Sequence, residues 1–211
     1  MTRLTGRPSP RPPLGYDGLD PAARVATAVA GASSPGPRLL GIDGRSGSGK
    51  SSLAGGVCRA VDLMGLSCSV VTMDDLYAGW DGLSAALPRL CDEVIDPLCT
   101  GAPAAYRRYD WALGELVEPV AVPAADVVVI EGVGSTWHRR RDAFTVTVWV
   151  QAPAPVRFDR ACARTGQGDF AAHAHSWADA EDALFGPDDY PHPPARYDLV
   201  VDTTHVGEHR G

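Results

Sequence analysis

The run Gly44-Arg45-Ser46-Gly47-Ser48-Gly49-Lys50-Ser51-Ser52 follows an apolar stretch, Leu39-Leu40-Gly41-Ile42, and has the spacing G-x-x-x-x-G-K-S. Glycines at 44, 47 and 49 let backbone N–H groups turn inward around an anion, because glycine takes left-handed dihedrals without steric cost. Lys50 would set an ammonium against terminal phosphates, and the Ser51 hydroxyl is suited to ligate Mg²⁺. The pattern predicts a helix from residue 51 to about 63, whose positive N-terminal end points at the same place. A glycine-serine turn that merely joins strand to helix is the competing reading. Both the spacing and the strand-then-helix context favour a cradle for a nucleoside triphosphate, with ATP and Mg²⁺ as the expected ligands.

Two further acidic segments follow apolar runs. Asp74 and Asp75 come after residues 68–73, and Glu131 closes Val127-Val128-Val129-Ile130. A triphosphate with bound Mg²⁺ needs an oxygen ligand or a water-holding carboxylate near Ser51, and Glu131 suits that role, with Asp74 close by. Transfer to an alcohol also needs a base beside the attacking hydroxyl, because its proton must leave as the new phosphorus–oxygen bond forms. Asp74 is the candidate. Helix capping after a strand would equally explain Asp74 and Asp75 taken alone, and a solvated strand end would explain Glu131; their occurrence together with a phosphate loop favours chemistry.

These residues must be carried by a scaffold, and its elements are legible. Asp20 is an N-cap followed by Pro21, and a helix over 22–30 precedes the first strand. Apolar runs at 39–42, 68–73, 127–130, 145–150 and 199–201 alternate with helical patterns at 51–63, 83–98 (broken by Pro88 and Pro97), 153–164 and 176–184. Strands separated by helices imply an α/β protein with a doubly wound parallel sheet, its ligands gathered at the carboxyl ends of the strands. Residues 1–18, with Pro8, Pro10, Pro12 and Pro13, read as a disordered Pro/Arg-rich arm, 19–204 as one catalytic domain, and 205–211 as a flexible tail.

Composition narrows the function. A formal charge of −7 runs against a nucleic-acid-binding surface, which carries a concentrated basic face, so the expected partner is a small molecule held by local groups. Arg139-Arg140-Arg141 reads as a solvated helix end. The five cysteines, Cys58, Cys68, Cys91, Cys99 and Cys162, are odd in number, lack a C-x-x-C pair and read as free thiols of a reducing cytosol. No apolar run reaches the length of a membrane span and the Arg/Pro-rich start lacks the apolar core of a signal peptide, so the expected compartment is the cytoplasm. Homo-oligomerisation is left open.

With these segments in hand, residues 38–204 resemble the uridine kinase-like branch of the P-loop kinases, the phosphoribulokinase–uridine kinase family. The resemblance rests on the loop at 44–51, on Asp74-Asp75-Leu76-Tyr77, on Tyr109-Asp110-Trp111, on Val128-Val129-Ile130-Glu131-Gly132, and on 157–164, which looks like the start of an arginine-bearing lid. It implies a five-stranded parallel sheet in the order 2-3-1-4-5, with a short lid. By the same resemblance Asp74 would be the base for a primary hydroxyl, Lys50 the phosphate clamp, and Ser51 with Glu131 the Mg²⁺ shell. Asp75, Tyr77, Asp81, Tyr109, Trp111 and Arg157 would face the acceptor, Asp81 through ribose hydroxyls. Arg160 and Arg164 would close over the triphosphate, although 157, 160 and 164 also follow the spacing of a solvated helix face.

The chain departs from that family in two places. Ala112-Leu113-Gly114 lacks the histidine that uridine-cytidine kinases place near the pyrimidine, and Thr165-Gly166-Gln167-Gly168-Asp169-Phe170 replaces a longer lid. His173-Ala174-His175 follows, a weak metal candidate against an exposed loop. Trp80, Tyr106, Tyr109 and Trp111 offer aromatic surface for a nucleobase and serve equally as core anchors. The expected activity is transfer of the γ-phosphoryl group of ATP to a hydroxyl, foremost the 5′-OH of a nucleoside. The alternatives are a pantothenate-, sugar- or specialised-metabolite-like alcohol, or a nucleotide-binding regulatory module without phosphotransfer.

Overall fold

Asp20 caps the first helix, α1 (Pro21–Ala30): its carboxylate accepts from the Ala22 N–H at 3.1 Å and Pro21 occupies the first helical turn. The structure, a computed structural model, describes residues 20–137, 139–164, 170–195 and 197–205. The arm assigned to 1–18, most of the tail and residues 165–169 of the short lid lie outside the described residues.

β1 (Arg38–Asp43) leads into the glycine loop and α2 (Lys50–Leu63), and β2 (Cys68–Thr72) ends in a 3-10 turn, Met73–Asp75. α3 (Leu83–Arg89) contains Pro88 and passes through a π-helical stretch, Leu90–Ile95, into α4 (Asp96–Thr100). The proline, which lacks an N–H, precedes the stretch where the regular ladder gives way. β3 (Ala105–Asp110) and β4 (Glu115–Ala121) form an antiparallel hairpin that the alternation of apolar runs and helical patterns does not show. Then follow β5 (Val127–Glu131), β6 (Val146–Gln151), α5 (Ala154–Cys162), α6 (Phe170–Phe185) and β7 (Leu199–Asp202).

The main sheet is parallel throughout, in the order β2-β5-β1-β6-β7. Numbering only its five strands along the chain gives 2-3-1-4-5. Alternate residues of one strand feed two separate cores. Val128 and Ile130 pack on one face with Leu83, Leu90, Trp149 and Trp177, while Val127 and Val129 pack on the other with Val25, Val29, Val57 and Val61. A strand covered on both sides reads as an unbroken apolar run, which is why β5 is so evident in the sequence. Burying each such side chain stabilises by roughly 1.5–3 kcal/mol, so β5 is a rigid post with Glu131 at its tip.

Three local expectations are corrected. Cys58 on α2 and Cys68 on β2 are joined as a disulfide with Cα atoms 5.5 Å apart, so only Cys91, Cys99 and Cys162 are free thiols. The helix sets Cys58 against the first residue of the next strand, a proximity that ten intervening positions do not advertise. Arg139 and Arg140 are not a solvated helix end: Arg139 pairs with Asp92 at 2.6 Å and Asp96 at 3.0 Å, and Arg140 with Asp96 at 2.9 Å. The guanidinium of Arg141 lies over the Tyr197 ring at 4.5 Å. Finally, α6 begins at Phe170 rather than near 176, because Phe170, His173 and Trp177, at helical spacing, all pack against Trp80. The His173–His175 pair is therefore helical, and no group of three or more metal-binding side chains occurs among the described residues.

Candidate active site

The loop between β1 and α2 is shaped by what surrounds it. A Cβ at Gly44, where φ is 149°, would lie 2.2 Å from the Val150 carbonyl oxygen. One at Gly47, where φ is 74°, would lie 1.9 Å from that of Arg157. Both positions demand glycine for space as well as for conformation. Lys50, at the start of α2, is buried and donates to the Arg45 carbonyl at 2.9 Å. An ammonium has three donors, so two remain uncommitted among the described residues. Burial lowers the Lys50 pKa, and the nearby Glu131 carboxylate opposes that shift.

Glu131 reaches toward the same point from β5. One of its oxygens accepts from Ser51 Oγ at 3.0 Å and from Thr72 Oγ1 at 3.0 Å. A hydroxyl and a carboxylate side by side, next to a lysine, are the donor set a hard divalent cation with phosphate ligands takes, so these residues fit Mg²⁺. Asp74, on the turn after β2, stands across the cleft with its carboxylate 3.5 Å from Arg164. The Asp74 backbone is fixed from behind by the Trp111 indole N–H, which donates to its carbonyl at 3.0 Å. Ser46, Lys50, Ser51, Asp74, Tyr77, Trp111, Glu131 and Arg164 thus line one narrow cavity of about 40 Å³ at the carboxyl end of the sheet.

Other expected site residues sit elsewhere. Arg45 turns away from the loop to Asp182 at 2.7 Å and the Gly186 carbonyl at 2.5 Å. Arg157 lies behind the loop, donating to the Ser46 carbonyl at 3.2 Å and pairing with Asp188, rather than facing an acceptor. Arg160 is bound to Thr203 through its hydroxyl at 3.0 Å and its carbonyl at 2.9 Å. Asp75 accepts from the Tyr106 hydroxyl at 3.0 Å, and Asp81 is exposed and outside the cavity lining. Tyr109 stands edge-on behind Trp111, ring centroids 5.3 Å apart. Ser48 is buried in the loop, and Ser52 is exposed on the first turn of α2.

Sequence reasoning missed three groups. Phe170 and Trp177 complete the cavity wall beside Trp80, which the sequence offers as aromatic surface. Glu181, buried on α6, accepts from the Ser46 N–H at 2.7 Å and so holds the loop from the lid side. Asp43, at the end of β1, accepts from the N–H groups of Gly44, Gly134 and Thr136 at 2.8–2.9 Å and from the Thr136 hydroxyl at 2.8 Å. It clamps the first residue of the glycine loop to the segment that follows Glu131. The sequence shows a carboxylate that ends a strand immediately before the first loop glycine, and nothing local marks it as a clamp.

No protein-family model matches the sequence, and no curated protein matches it. Solved structures do. A possible uridine kinase from Bacillus stearothermophilus aligns over 86% of this chain and 97% of its own, with 20% identity and a TM-score of 0.58. A candidate fructose transport system kinase from Silicibacter sp. TM1040 aligns over 86% and 99%, with 21% identity and a TM-score of 0.63. D-glycerate 3-kinase from Cryptococcus neoformans aligns over 85% and 92%, with 17% identity and a TM-score of 0.52. This chain has the P-loop kinase fold. Within that fold the cavity occupies the carboxyl edge of β2, β5 and β1, where an open α/β sheet places its ligands, and no helix among the described residues is long and apolar enough to cross a membrane.

Burial raises the Glu131 pKa above its ordinary value of 4.5, with Lys50 and the two hydroxyl hydrogen bonds acting in opposition. A cation held by Glu131 would compete with that proton, so Mg²⁺ binding should weaken as pH falls toward the raised Glu131 pKa, beginning above pH 4.5, and Glu131→Gln should abolish this pH dependence in a Mg²⁺ titration. The sign for folding is the reverse of the usual carboxylate. Because the folded state holds this proton more tightly than the unfolded chain, the Glu131 contribution to stability declines as pH rises from the ordinary carboxylate value through the folded pKa. At neutral pH Glu131→Gln should leave the metal-free protein at least as heat-stable as the parent, as a melting curve would show.

Proposed function

We propose that this chain is an ATP- and Mg²⁺-dependent phosphotransferase that moves the γ-phosphoryl group of ATP to the hydroxyl of a small molecule. The observation that carries this reading is one cavity lined both by a phosphate-binding set, Lys50, Ser51 and Glu131, and by a carboxylate, Asp74, across from it. A nucleotide sensor needs the first and has no use for the second. Asp74 takes the proton of the attacking hydroxyl, Lys50 neutralises charge on the transferring group, and Arg164, at the cavity mouth, supplies a planar fork for phosphate oxygens. Ser51 and Glu131 would hold Mg²⁺, which would supply positive charge to offset that of the triphosphate during transfer.

The nucleoside acceptor is supported by the sequence resemblance. A non-nucleoside alcohol is supported by the missing histidine after Trp111 and by Asp81, which stands exposed away from the cavity. Acceptor-dependent ADP formation across nucleosides, sugars and simple alcohols tests the reaction. Lys50→Ala should reduce it by about 10²-fold or more, as expected for removal of a group that stabilises transition-state charge. ATP binding without turnover of any acceptor would favour the regulatory module instead.

A further inference from the structure

The acceptor end of the cavity differs in kind from the phosphate end. Its wall is Tyr77, Trp80, Trp111, Phe170 and Trp177, drawn from three separate stretches of chain. Trp80 lies at the centre, edge-on to Trp111 at 5.1 Å, to Trp177 at 5.8 Å and to Phe170 at 6.0 Å, with His173 stacked at 4.7 Å on one face. The polar atoms of this wall are largely spoken for. The Tyr77 hydroxyl donates to the Val133 carbonyl at 2.8 Å, the Trp111 N–H to the Asp74 carbonyl at 3.0 Å, and the Trp177 N–H to Ser46 Oγ at 2.8 Å. Among the described residues, the Trp80 indole N–H is the wall's one remaining conventional donor. The charged groups of the described lining are Lys50, Asp74, Glu131 and Arg164, none of them part of this wall.

Among the described residues, such a wall recognises rings by edge and face and offers a diol or the polar edge of a base little beyond the Trp80 N–H. Burying hydroxyl or amide groups there without partners is unfavourable, and a site lacking those partners discriminates against ligands that need them. Building on the phosphotransfer reading, we propose that the acceptor is an alcohol whose hydroxyl arm is attached to an aromatic ring system with few polar substituents, of the aryl-ethanol or indolyl-ethanol kind, rather than a nucleoside or a polyol. The ring packs against Trp80 and Trp111, and its arm directs the hydroxyl to Asp74. The acceptor oxygen forms a bond to the γ-phosphorus, the bond from that phosphorus to the β–γ bridging oxygen breaks, the hydroxyl proton passes to Asp74, and ADP leaves. Because the cavity is narrow and Arg164 sits 3.5 Å from Asp74 at its exposed rim, acceptor entry parts that pair.

The test uses the full chain with Mg²⁺ and ATP, measuring ADP formation with indole-3-ethanol, 2-phenylethanol, uridine and fructose. In parallel, tryptophan fluorescence is titrated with 2-phenylethanol in the absence of nucleotide. The expected result is a kcat/KM at least tenfold higher for the two aromatic alcohols than for uridine or fructose. Trp80→Ala should raise the KM for 2-phenylethanol about tenfold and leave the KM for ATP within twofold, with Trp80→Phe recovering most of the difference. Preferential turnover of uridine or fructose overturns the acceptor class and leaves phosphotransfer standing. Saturable quenching that Trp80→Ala removes, with no turnover of any of these alcohols, upholds the aromatic site and overturns phosphotransfer. Neither turnover nor quenching overturns both.

Discussion

Asp74→Asn should lower turnover by about 10²–10⁴-fold, the range associated with loss of a positioned general base, while ATP affinity stays within a few-fold of the parent. The substitution keeps the shape of the side chain and removes its capacity to take a proton. It also spares the local scaffold, since the Trp111 indole N–H binds the Asp74 backbone carbonyl and the 3-10 turn Met73–Asp75 does not depend on the carboxylate for a cap. Asp74 is about one-third exposed, so no buried charge is stranded. The effect should appear in kcat, because the proton moves only as the new bond forms. Acceptor-dependent ADP formation, run beside an ATP titration, separates the two readouts. Undiminished turnover in Asp74→Asn, with Lys50→Ala inactive, would remove Asp74 from the role of base.

The second large effect is on folding. Asp43→Ala should destabilise the protein by about 3 kcal/mol, because it strands three buried backbone N–H groups at roughly 1–3 kcal/mol each, offset in part by relief of a buried charge. For a chain of this size that corresponds to a fall in Tm of roughly 6–12 °C. Asp43→Asn keeps one carbonyl acceptor and should fall between the two. Since Gly44 and the 132–136 segment share this clamp, both variants should also raise the KM for ATP more than they lower kcat. A Tm within about 2 °C of the parent for Asp43→Ala would show that the clamp contributes little.

These two aspartates differ in how visible they are. Asp74 follows an apolar strand pattern and stands at the carboxyl end of a parallel sheet, a place that the alternation of strands and helices predicts. Asp43 follows such a pattern equally well, yet its partners are Gly134 and Thr136, more than ninety positions away, and nothing local distinguishes a clamp from a strand end. The arginines make the same point. At 157, 160 and 164 they share helical spacing, but only Arg164 lines the cavity; Arg157 is drawn to Asp188 and the back of the loop, and Arg160 to Thr203. A long guanidinium side chain chooses among acceptors that distant segments bring near, so spacing alone does not assign it.

What the amino-acid sequence determined by itself was therefore what lies within a few residues or repeats with a regular period. The glycine loop and its Lys50–Ser51 end belong to that class, as do the cap at Asp20, the twice-covered strand carrying Glu131, and the order of strands and helices. What only the tertiary structure decided was convergence: the aromatic wall gathered from 77–80, 111 and 170–177, the Glu181 and Asp43 supports of the loop, and the pairing of Cys58 with Cys68. The physical reason is range. Backbone preference and burial period act along the chain, whereas a cavity is made where faces of separate elements meet, and which faces meet is settled by packing the whole sheet on both sides.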